Sequence, residues 1–386
     1  MQTHTRDLLL DVTRLVWRVW TGRLPTGIDR VCLAYLDRYA PRALAVIQKG
    51  WLRLVLDSAT SDQLFALLRR GGPGFRWRLA LLLVAAVLHG GPRRSLRGLH
   101  YLNIGHTGLD SPGLADWLHR RGWKPVFLVH DLIPLSHPEF CRAGEARRHD
   151  RRMRTVLACA KGVIANSAAT RDALVALAHR SGLPVPPIMV AWLGVEPQVA
   201  PAPAPPAGRP YFVMIGTIEA RKNHLLLLHL WERLVRELGQ AAPELVLIGQ
   251  RGWEADEVFA LLDHSPLLRG HVRELGRCDD ATMLAWLDGA RALLMPSFIE
   301  GFGIPVIEAL QRGVPVIASD LPVFREIARE IPRYLDPRDD AGWEAAIRAY
   351  CGDTPDRARQ LALLPQFRAP TWADHFAKVD GWLPRL

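Results

Sequence analysis

The stretch SFIEGFGIPVIEA, from Ser297 to Ala309, decides the fold. It follows a short apolar run ending at Pro296, which predicts a strand, and it leads into a helix predicted over 305–312. Two glycines let the backbone turn sharply between these elements and approach a ligand closely. Pro305 fits the first turn of a helix, where its missing N–H costs nothing. The pattern therefore predicts a strand, a glycine turn and a helix start, which together form the local unit of an α/β sheet.

The same stretch carries groups that suit an anionic, hydroxyl-rich ligand. The N–H groups of residues 302–306 are predicted to face a ligand, with the positive end of the helix dipole behind them. Glu300 and Glu308 lie eight positions apart and project toward one ligand from neighbouring points. A carboxylate accepts hydrogen bonds from two vicinal hydroxyls, as on a sugar or a ribose. A capped helix with two solvated glutamates remains the alternative from this stretch alone.

Outward from this stretch, short apolar runs alternate with helical stretches in both halves of the chain. This alternation is typical of βαβ units and predicts an α/β fold with two Rossmann-like domains facing across a cleft. Ligands in such sheets bind beyond the carboxyl ends of the strands. The predicted strands are 8–12, 43–48, 99–104, 125–130 and 162–167 in the first half, and 211–215, 244–249, 272–275, 292–296 and 314–319 in the second.

A proline-rich seam, EPQVAPAPAPPAGRP over 196–210, separates the two halves. Six prolines in fifteen residues sustain neither a helix nor a central strand, so we predict an extended interdomain linker rather than a recognition motif. The predicted domains are then 1–195 and 211–365. The tail, 366–386, carries aromatic residues at helical spacing and either ends the second domain or crosses back to the first.

Composition narrows the function classes. The chain has 386 residues, five scattered cysteines without a CxxC pair, no apolar run long enough to span a bilayer and no signal-peptide pattern, which predicts a cytoplasmic protein. Its net charge of +10 predicts an anionic partner, which could be nucleic acid, anionic lipid or a phosphorylated substrate. The sequence lacks the P-loop, GxGxxG, Asp-x-Asp, GxSxG and HExxH motifs. The first two absences disfavour a P-loop NTPase and a dinucleotide-binding Rossmann enzyme, and without Asp-x-Asp a carboxylate pair for magnesium–diphosphate is not evident.

Residues 297–309 resemble the E-x7-E signature of retaining GT-B glycosyltransferases of family 4, the glycosyl transferases group 1. The flanking residues 313–318 and Glu326 also match, and Gly216–Asn223 is similar to the family's strand–loop–RKN element. In the first half, His130–Leu135 resembles the HD-L-x-P element of bacterial polysaccharide mannosyltransferase-like members. Residues 165–172 resemble an N-S-x-x-T-R-D helix start.

The resemblance implies roles for residues of the second half. Arg221 and Lys222 would bind the donor diphosphate beside Gly216 and neutralise the leaving group, without a metal. Glu308 would bind the ribose, and Glu300 the donor sugar without acting as a nucleophile. Gly301, Phe302, Gly303 and Ile304 would contact the donor, chiefly through backbone N–H groups. In isolation, a solvated basic pair at 221–222 is the alternative.

In the first half, the resemblance places His130 near the donor sugar and the incoming acceptor, with Asp131 able to orient it. His106 also follows a predicted strand and is a weaker candidate for the acceptor side. Gly27 occupies the place of the family's glycine loop, where Thr26 stands in this chain and the family often has a second glycine. A buried, hydrogen-bonded structural histidine is the competing interpretation of His130.

The implied function is transfer of a hexose from a nucleoside-diphosphate sugar to a glycan or lipid-linked oligosaccharide in bacterial surface polysaccharide synthesis. GDP-mannose is the favoured donor and a UDP-sugar the alternative; no cofactor or metal is expected. A basic nucleic-acid-binding protein is a remote alternative, and a sugar-phosphate phosphorylase would need a cofactor-bearing lysine motif that is not evident. Tryptophans interleaved with basic residues at 17–20, 51–53 and 75–78 raise the hypothesis of peripheral contact with an anionic membrane at its inner face. Solvated helix faces and core tryptophans remain the alternative.

Overall fold

The computed structural model describes residues 6–22, 26–72, 74–89, 91–92, 94–195, 208–276 and 278–386. Most of the predicted linker, 196–207, lies outside the described residues. The chain groups into two compact units. Unit 1 takes Met1–Leu135, Ala146–Leu193 and Trp372–Leu386, and unit 2 takes Ser136–Glu145 and Gly194–Thr371.

The described part of unit 1 contains one seven-stranded sheet in the order β3-β2-β1-β4-β5-β6-β7. Neighbouring strands pair in parallel, except that the edge strand β3 runs antiparallel to β2. The strands are β1 (Leu8–Asp11), β2 (Ala43–Lys49), β3 (Leu52–Val55), β4 (His100–Asn103), β5 (Lys124–Val129), β6 (Gly162–Ala165) and β7 (Ile188–Val190). Buried aliphatic residues fill β1, β2 and β5, as expected for a parallel sheet covered on both faces.

The helices in this part of the sequence connect the strands. They are α1 (Thr13–Trp20), α2 (Gly27–Tyr39), α3 (Ser58–Arg70), α4 (Phe75–His89), α5 (Leu114–Arg121), α6 (Ile133–Ser136), α7 (Glu145–Cys159) and α8 (Ala168–Arg180). The apolar faces of α5, α7 and α8 cover a core in which Tyr101 stacks on Trp123 at 5.9 Å between ring centroids.

The described part of unit 2 contains a six-stranded, all-parallel sheet in the order β10-β9-β8-β11-β12-β13. The strands are β8 (Tyr211–Ile215), β9 (Glu244–Ile248), β10 (Val272–Gly276), β11 (Leu293–Met295), β12 (Val316–Ser319) and β13 (Arg333–Leu335). Numbered from β8, this is the 3-2-1-4-5-6 order of a Rossmann sheet. Its topological switch point therefore lies between β8 and β11.

The remaining helices are α9 (His224–Leu238), α10 (Asp256–His264), α11 (Asp280–Asp288), α12 (Ile304–Gln311), α13 (Pro322–Ala328), α14 (Asp340–Cys351), α15 (Pro355–Leu363) and α16 (Trp372–Trp382). All but α16 belong to unit 2. The apolar face of α9 packs with the sheet around the fully buried Trp231 and Trp343.

The last helix, α16, belongs to unit 1 although it follows unit 2 in sequence. His375 is buried there, with Nε2 2.7 Å from the Tyr35 hydroxyl and Nδ1 2.9 Å from the Trp192 carbonyl oxygen. Tyr39 donates a hydrogen bond to Asp380 over 2.9 Å, and the Phe376 ring meets Tyr35 edge to face at 5.1 Å. These contacts tie α16 to α2.

The segment Ser136–Glu145 departs from the predicted boundaries, because the structure groups it with unit 2 rather than with the domain predicted over 1–195. Its contacts give the physical reason. The Phe140 ring stacks on Phe298 with centroids 5.2 Å apart and planes 7° from parallel. Arg142 lies over the Trp253 ring at 4.9 Å.

Two glycines let the ends of β8 and β9 approach closely. A Cβ atom on Gly249 would lie 1.9 Å from the carbonyl oxygen of Gly216. We expect Gly249→Ala to push the strand ends apart and to lower the free energy of unfolding by about 2 kcal/mol, as for an overpacked core. Urea denaturation of the purified variant measures this.

Gly352→Ala is the matched control, because a Cβ there meets nothing within 4 Å. It should keep the wild-type unfolding midpoint. Equal midpoints for both variants would contradict the close approach at Gly249.

Candidate active site

Two loops of unit 2 start side by side at the switch point. One leaves β8 at Gly216, and the other leaves β11 at Pro296. In an open parallel sheet, neighbouring strands whose connections run to opposite sides leave a crevice at their carboxyl ends, which is the usual ligand site. The predicted donor residues of the second half lie on these two loops and on α12, which follows the second loop.

The first loop folds into a single 3-10 turn over Ala220–Lys222 and then starts α9. Asn223 adopts the left-handed conformation, with φ of 61°, at the helix start. The backbone N–H of Phe298 donates a hydrogen bond to the carbonyl oxygen of Arg221 over 2.8 Å. This bond ties the second loop to the first.

A cluster of ion pairs joins the same loops. Arg221 donates to Glu300 Oε2 over 2.7 Å, and Lys222 Nζ lies 2.5 Å from Glu300 Oε1. A second guanidinium nitrogen of Arg221 lies 2.6 Å from Glu219. The Lys222 and Glu300 side chains are only 8% and 7% exposed. Glu219, Arg221, Lys222 and Glu300 are called the charged cluster below.

The charged cluster holds Glu300 ionised. Burial opposes ionisation, but the nearby charges of Arg221 and Lys222 outweigh it and lower the pKa of Glu300 to about 2. Ser297 adds a hydroxyl hydrogen bond to Glu300 Oε1 over 2.8 Å. Burial raises the pKa of Glu219, which the charges of Arg221 and Lys222 only partly offset. Burial also lowers the pKa of Lys222, against the attraction of Glu300.

Gly216 makes room for this arrangement. A Cβ there would lie 3.3 Å from Lys222 Cε, and the residue has φ of 144°, a conformation that side chains rarely adopt. The predicted donor residue Gly216 therefore lets the lysine stem lie against the end of β8. The structure thus brings Gly216, Arg221, Lys222 and Glu300 together.

Gly303 starts α12 from a left-handed conformation, with φ of 106°. A Cβ there would lie 2.6 Å from the Phe324 ring, so the position demands glycine. The Phe302 side chain is buried, so that residue can offer a ligand only its backbone. Pro305 lies in the first turn of α12, as predicted.

The predicted set of free N–H groups over 302–306 is too large. The Val306 N–H donates to the Gly303 carbonyl oxygen over 3.0 Å, and Pro305 has no N–H. Among the described residues, no acceptor takes the N–H groups of Phe302, Gly303 and Ile304. These three remain at the positive end of the helix.

Glu308 lies one turn after Ile304 on the same face of α12 and is half-buried. The opposite face packs into the core through Val306, Ile307 and Leu310. Glu308 therefore lies on the same side of α12 as Ile304, the first residue of the helix. Gly301, between the loop and the helix, is half-exposed.

In unit 1, His106 and His130 come together at the carboxyl ends of β4 and β5. Their ring centroids are 5.1 Å apart, and both rings are buried. His130 Nε2 lies 2.8 Å from the Ile104 carbonyl oxygen, and His106 Nε2 lies 2.9 Å from that of Leu128. Burial lowers the pKa of His130 to about 4, so the imidazole is neutral at pH 7.

Asp131 does not act on His130 in the way expected. Its carboxylate accepts a hydrogen bond from the Ile133 backbone N–H over 3.0 Å, at the start of α6. The backbone carbonyl of His130 is held instead by Asn166, whose side chain donates to it over 2.8 Å. Asp131 thus shapes the turn after β5, while the histidine is oriented by backbone oxygen.

Gly27 is the exposed first residue of α2, which begins with a capping box between Thr26 and Asp29. Arg14 joins this helix start to the loop after β4. Its guanidinium donates to Asp29 over 2.7 Å and lies 3.5 Å from the Gly105 carbonyl oxygen. The start of α1, the start of α2 and the loop carrying His106 therefore meet.

Sequence reasoning missed the roles of Arg14, Glu219 and Ser297. Glu219 lies within Gly216–Asn223, and a carboxylate two residues before an arginine is a signal for an ion pair. Arg14 lies two residues after the predicted strand 8–12, where a ligand-site residue is expected in an α/β sheet.

Comparisons with known proteins show the family of this chain. The sequence profile described as glycosyl transferases group 1 matches residues 197–360. The O-antigen chain mannosyltransferase B of Escherichia coli is 30% identical over 265 residues, which cover 65% of this chain and 68% of that protein. The chain belongs to the glycosyl transferases group 1 family. This confirms the family resemblance of the two loops and α12.

Other relatives of this group 1 chain are longer. The serotype-specific mannosyltransferase WbdA of Escherichia coli is 32% identical over 248 residues, which are 60% of this chain but 30% of that protein. The match thus spans less than a third of the WbdA length.

Solved structures show that the group 1 chain has the predicted GT-B fold. Anabaena HepE, solved with UDP and glucose, has a TM-score of 0.68 at 16% identity, covering 98% of this chain and 99% of that one. The lipopolysaccharide outer core galactosyltransferase WaaB has a TM-score of 0.58 at 13% identity, with 98% and 99% coverage.

No described helix has both the length and the apolar content to cross a bilayer. Within the same residues, no group of three or more His, Cys, Asp or Glu is placed to hold a metal ion. Metal independence itself stays a prediction.

The charged cluster predicts a specific acid response. We expect Glu300→Gln to lower the free energy of unfolding at pH 7 by about 3 kcal/mol, because Lys222 is left buried without its partner. The folded-state pKa of Glu300, about 2, lies below its ordinary value of 4.5. The pair therefore stabilises the fold above pH 4.5 and is lost as the pH falls toward 2. The variant should lose less stability than the wild type across this window, measured by urea denaturation.

Glu257→Gln is the matched control, because Glu257 is an exposed glutamate on α10. It should reproduce the wild-type curve. Parallel pH curves for wild type and Glu300→Gln would contradict the buried ion pair.

Proposed function

We propose that this protein is a retaining, metal-independent glycosyltransferase that moves a hexose from a nucleoside-diphosphate sugar to a glycan or lipid-linked oligosaccharide. The reaction belongs to bacterial surface polysaccharide synthesis. One observation carries the proposal: Arg221, Lys222 and Glu300 converge at the switch point of unit 2, where the loop leads into the N-terminus of α12.

The proposed donor site requires the charged cluster to change partners. With both carboxylates ionised, Glu219 and Glu300 neutralise Arg221 and Lys222, so the cluster has no net charge to offer a diphosphate. When Glu300 turns to the hydroxyls of the donor sugar, the two cations are released to the diphosphate. As the glycosidic bond breaks, they stabilise the charge that grows on the leaving nucleoside diphosphate. The backbone N–H groups of Phe302, Gly303 and Ile304 add further donors.

Glu308 completes the proposed donor site by accepting the ribose hydroxyls. Its position one turn into α12, on the face shared with Ile304, supports this role. Glu300 is proposed to bind rather than to attack. Its low pKa and its ion pairs make it a weak nucleophile, which is consistent with front-face attack by the acceptor and retention of configuration.

GDP-mannose is the favoured donor. Several relatives are named mannosyltransferases, including O-antigen chain mannosyltransferase RfbU of Salmonella typhimurium, which is 49% identical over 59 residues, or 15% of this chain and 17% of that protein. A UDP-sugar is the second candidate, because the structural neighbour HepE was solved with UDP. The family membership gives the nucleic-acid alternative no support.

The neutral pair of His106 and His130 is proposed to serve the acceptor side, with Gly27 at the exposed start of α2 and Asp131 in the turn after β5. In each neutral ring, Nε2 donates to a backbone carbonyl oxygen, so Nδ1 is the atom that can accept a hydrogen bond from an acceptor hydroxyl. A lipid-linked acceptor is met at the inner face of the cytoplasmic membrane, so this location is part of the proposal.

A screen of purified GDP- and UDP-sugars tests the proposed reaction, with transfer or slow donor hydrolysis as the readout. We expect turnover with GDP-mannose and unchanged rates in EDTA. Turnover only with a UDP-sugar would replace the favoured donor. Loss of activity in EDTA, restored by a divalent cation, would overturn metal independence.

Substitutions test the donor site separately. Lys222→Ala and Glu308→Ala should each lower the transfer rate about 100-fold or more, as for the loss of a charge-stabilising group. Arg269→Ala and Glu257→Ala are matched controls, because both residues are exposed on the same unit, and they should keep the wild-type rate. Wild-type rates in the first two variants would remove both residues from the active site.

A further inference from the structure

Unit 1 exposes a row of large apolar side chains on α4. Trp77, Leu81, Val84 and Val87 are 58–63% exposed and are called the apolar stripe. Their spacing places them on one side of the helix. The opposite side of α4 is buried through Phe75, Leu79, Leu82 and Ala86.

This helix is therefore apolar on both sides although only one side is covered. A helix that is apolar all round is normally buried all round. Contiguous exposed apolar surface of this kind marks an interaction site, whereas single exposed side chains do not. The apolar stripe is consequently a surface suited to contact with a lipid bilayer or with the apolar surface of another protein.

A neighbouring hairpin adds to the same surface. Trp51, at the tip between β2 and β3, is 88% exposed, and Leu52 beside it is also exposed. The tip is linked to α4 through α1: Lys49 lies over the Trp17 ring at 4.8 Å, and Arg76 lies over the Trp20 ring at 5.7 Å. Trp17 and Trp20 lie one turn apart on α1, which connects the two apolar features.

The distribution of charge over the two units indicates which of these would contact the apolar stripe. Unit 1 carries 29 Lys and Arg residues against 13 Asp and Glu, whereas unit 2 carries 20 against 26. The positive charge of the chain thus belongs to the unit that carries the apolar stripe. Arg76 and Arg78 flank Trp77 in sequence and project to either side of the stripe, and both are exposed. Arginine beside tryptophan is the composition of an interfacial helix.

We propose that the apolar stripe and the Trp51–Leu52 tip insert shallowly into an anionic membrane, with Arg76 and Arg78 at the level of the lipid phosphates. The choice of a membrane rests in part on the proposed function, because a lipid-linked acceptor lies in one. The binding itself involves neither the charged cluster nor the histidine pair. A second copy of the chain and a protein partner are the competing occupants.

Vesicle co-sedimentation without any sugar donor tests the inference. The wild-type chain should bind vesicles of phosphatidylglycerol and phosphatidylcholine and should bind pure phosphatidylcholine vesicles more weakly. Added salt should reduce the difference. The triple variant Trp77→Ser, Leu81→Gln, Val84→Ser should bind the anionic vesicles at least about tenfold more weakly. Arg78→Glu should lower the preference for anionic vesicles.

Val185→Ser and Leu238→Gln are the controls, because they remove apolar side chains that are 43% and 38% exposed elsewhere on the chain. Both should bind vesicles as the wild type does. All the substituted side chains are exposed, so circular dichroism and the unfolding midpoint should stay unchanged. These readings exclude misfolding as the cause of lost binding.

Three results would overturn the inference: no vesicle binding by the wild type, equal binding by the triple variant, or a lipid-free dimer that the triple variant abolishes in place of vesicle binding. The outcome is separable from the proposed reaction. A chain that binds vesicles but transfers no sugar would remove the reaction and leave the membrane surface. A chain that transfers sugar to a soluble acceptor but does not bind vesicles would remove the membrane surface and leave the proposed reaction.

Discussion

The buried pair of Lys222 and Glu300 is the interaction on which the candidate site of unit 2 depends. It bridges the loops that leave β8 and β11, and the backbone bond from Phe298 to Arg221 runs beside it. A parallel sheet brings these loops together only because its strand order reverses between β8 and β11. The strand order thus brings the two loops close together. The Lys222–Glu300 ion pair, with the space that Gly216 leaves for the lysine, then fixes the side chains of these loops.

In both units, polar side chains lie on loops at the carboxyl ends of neighbouring strands, but the chemistry of these side chains differs. In unit 2, the loops at the switch point carry charges that neutralise one another and can be reassigned to a ligand. In unit 1, the loops after β4 and β5 carry imidazoles whose buried rings bond to backbone oxygen and stay neutral. A charged group suits a diphosphate, and a neutral one suits a hydroxyl. The α/β framework is common, while the residues at the strand ends differ.

The sequence predicts most of unit 2 because each signal there is local. Gly303 and Pro305 mark the start of α12, and the alternation of apolar runs with helices reveals the βαβ repeat. The signals that failed are those that depend on tertiary contacts. Beyond Arg78 the α4 stretch is apolar on every side, so it shows no helical period, and the edge strands β3, β7 and β13 are only partly buried. The cap that Asp131 makes and the place of Ser136–Glu145 are likewise set by partners remote from any motif.

The return of α16 to unit 1 has a consequence for biosynthesis. Unit 1 is assembled from three separate stretches of chain, and its Tyr35 and Tyr39 remain without their contacts to His375 and Asp380 until the ribosome has produced α16. Unit 2 needs nothing beyond Thr371, so it has all its residues first. The unit whose first residues are translated first is thus also the unit that is completed last, and the surface of α2 that packs against α16 has no cover from that helix until then.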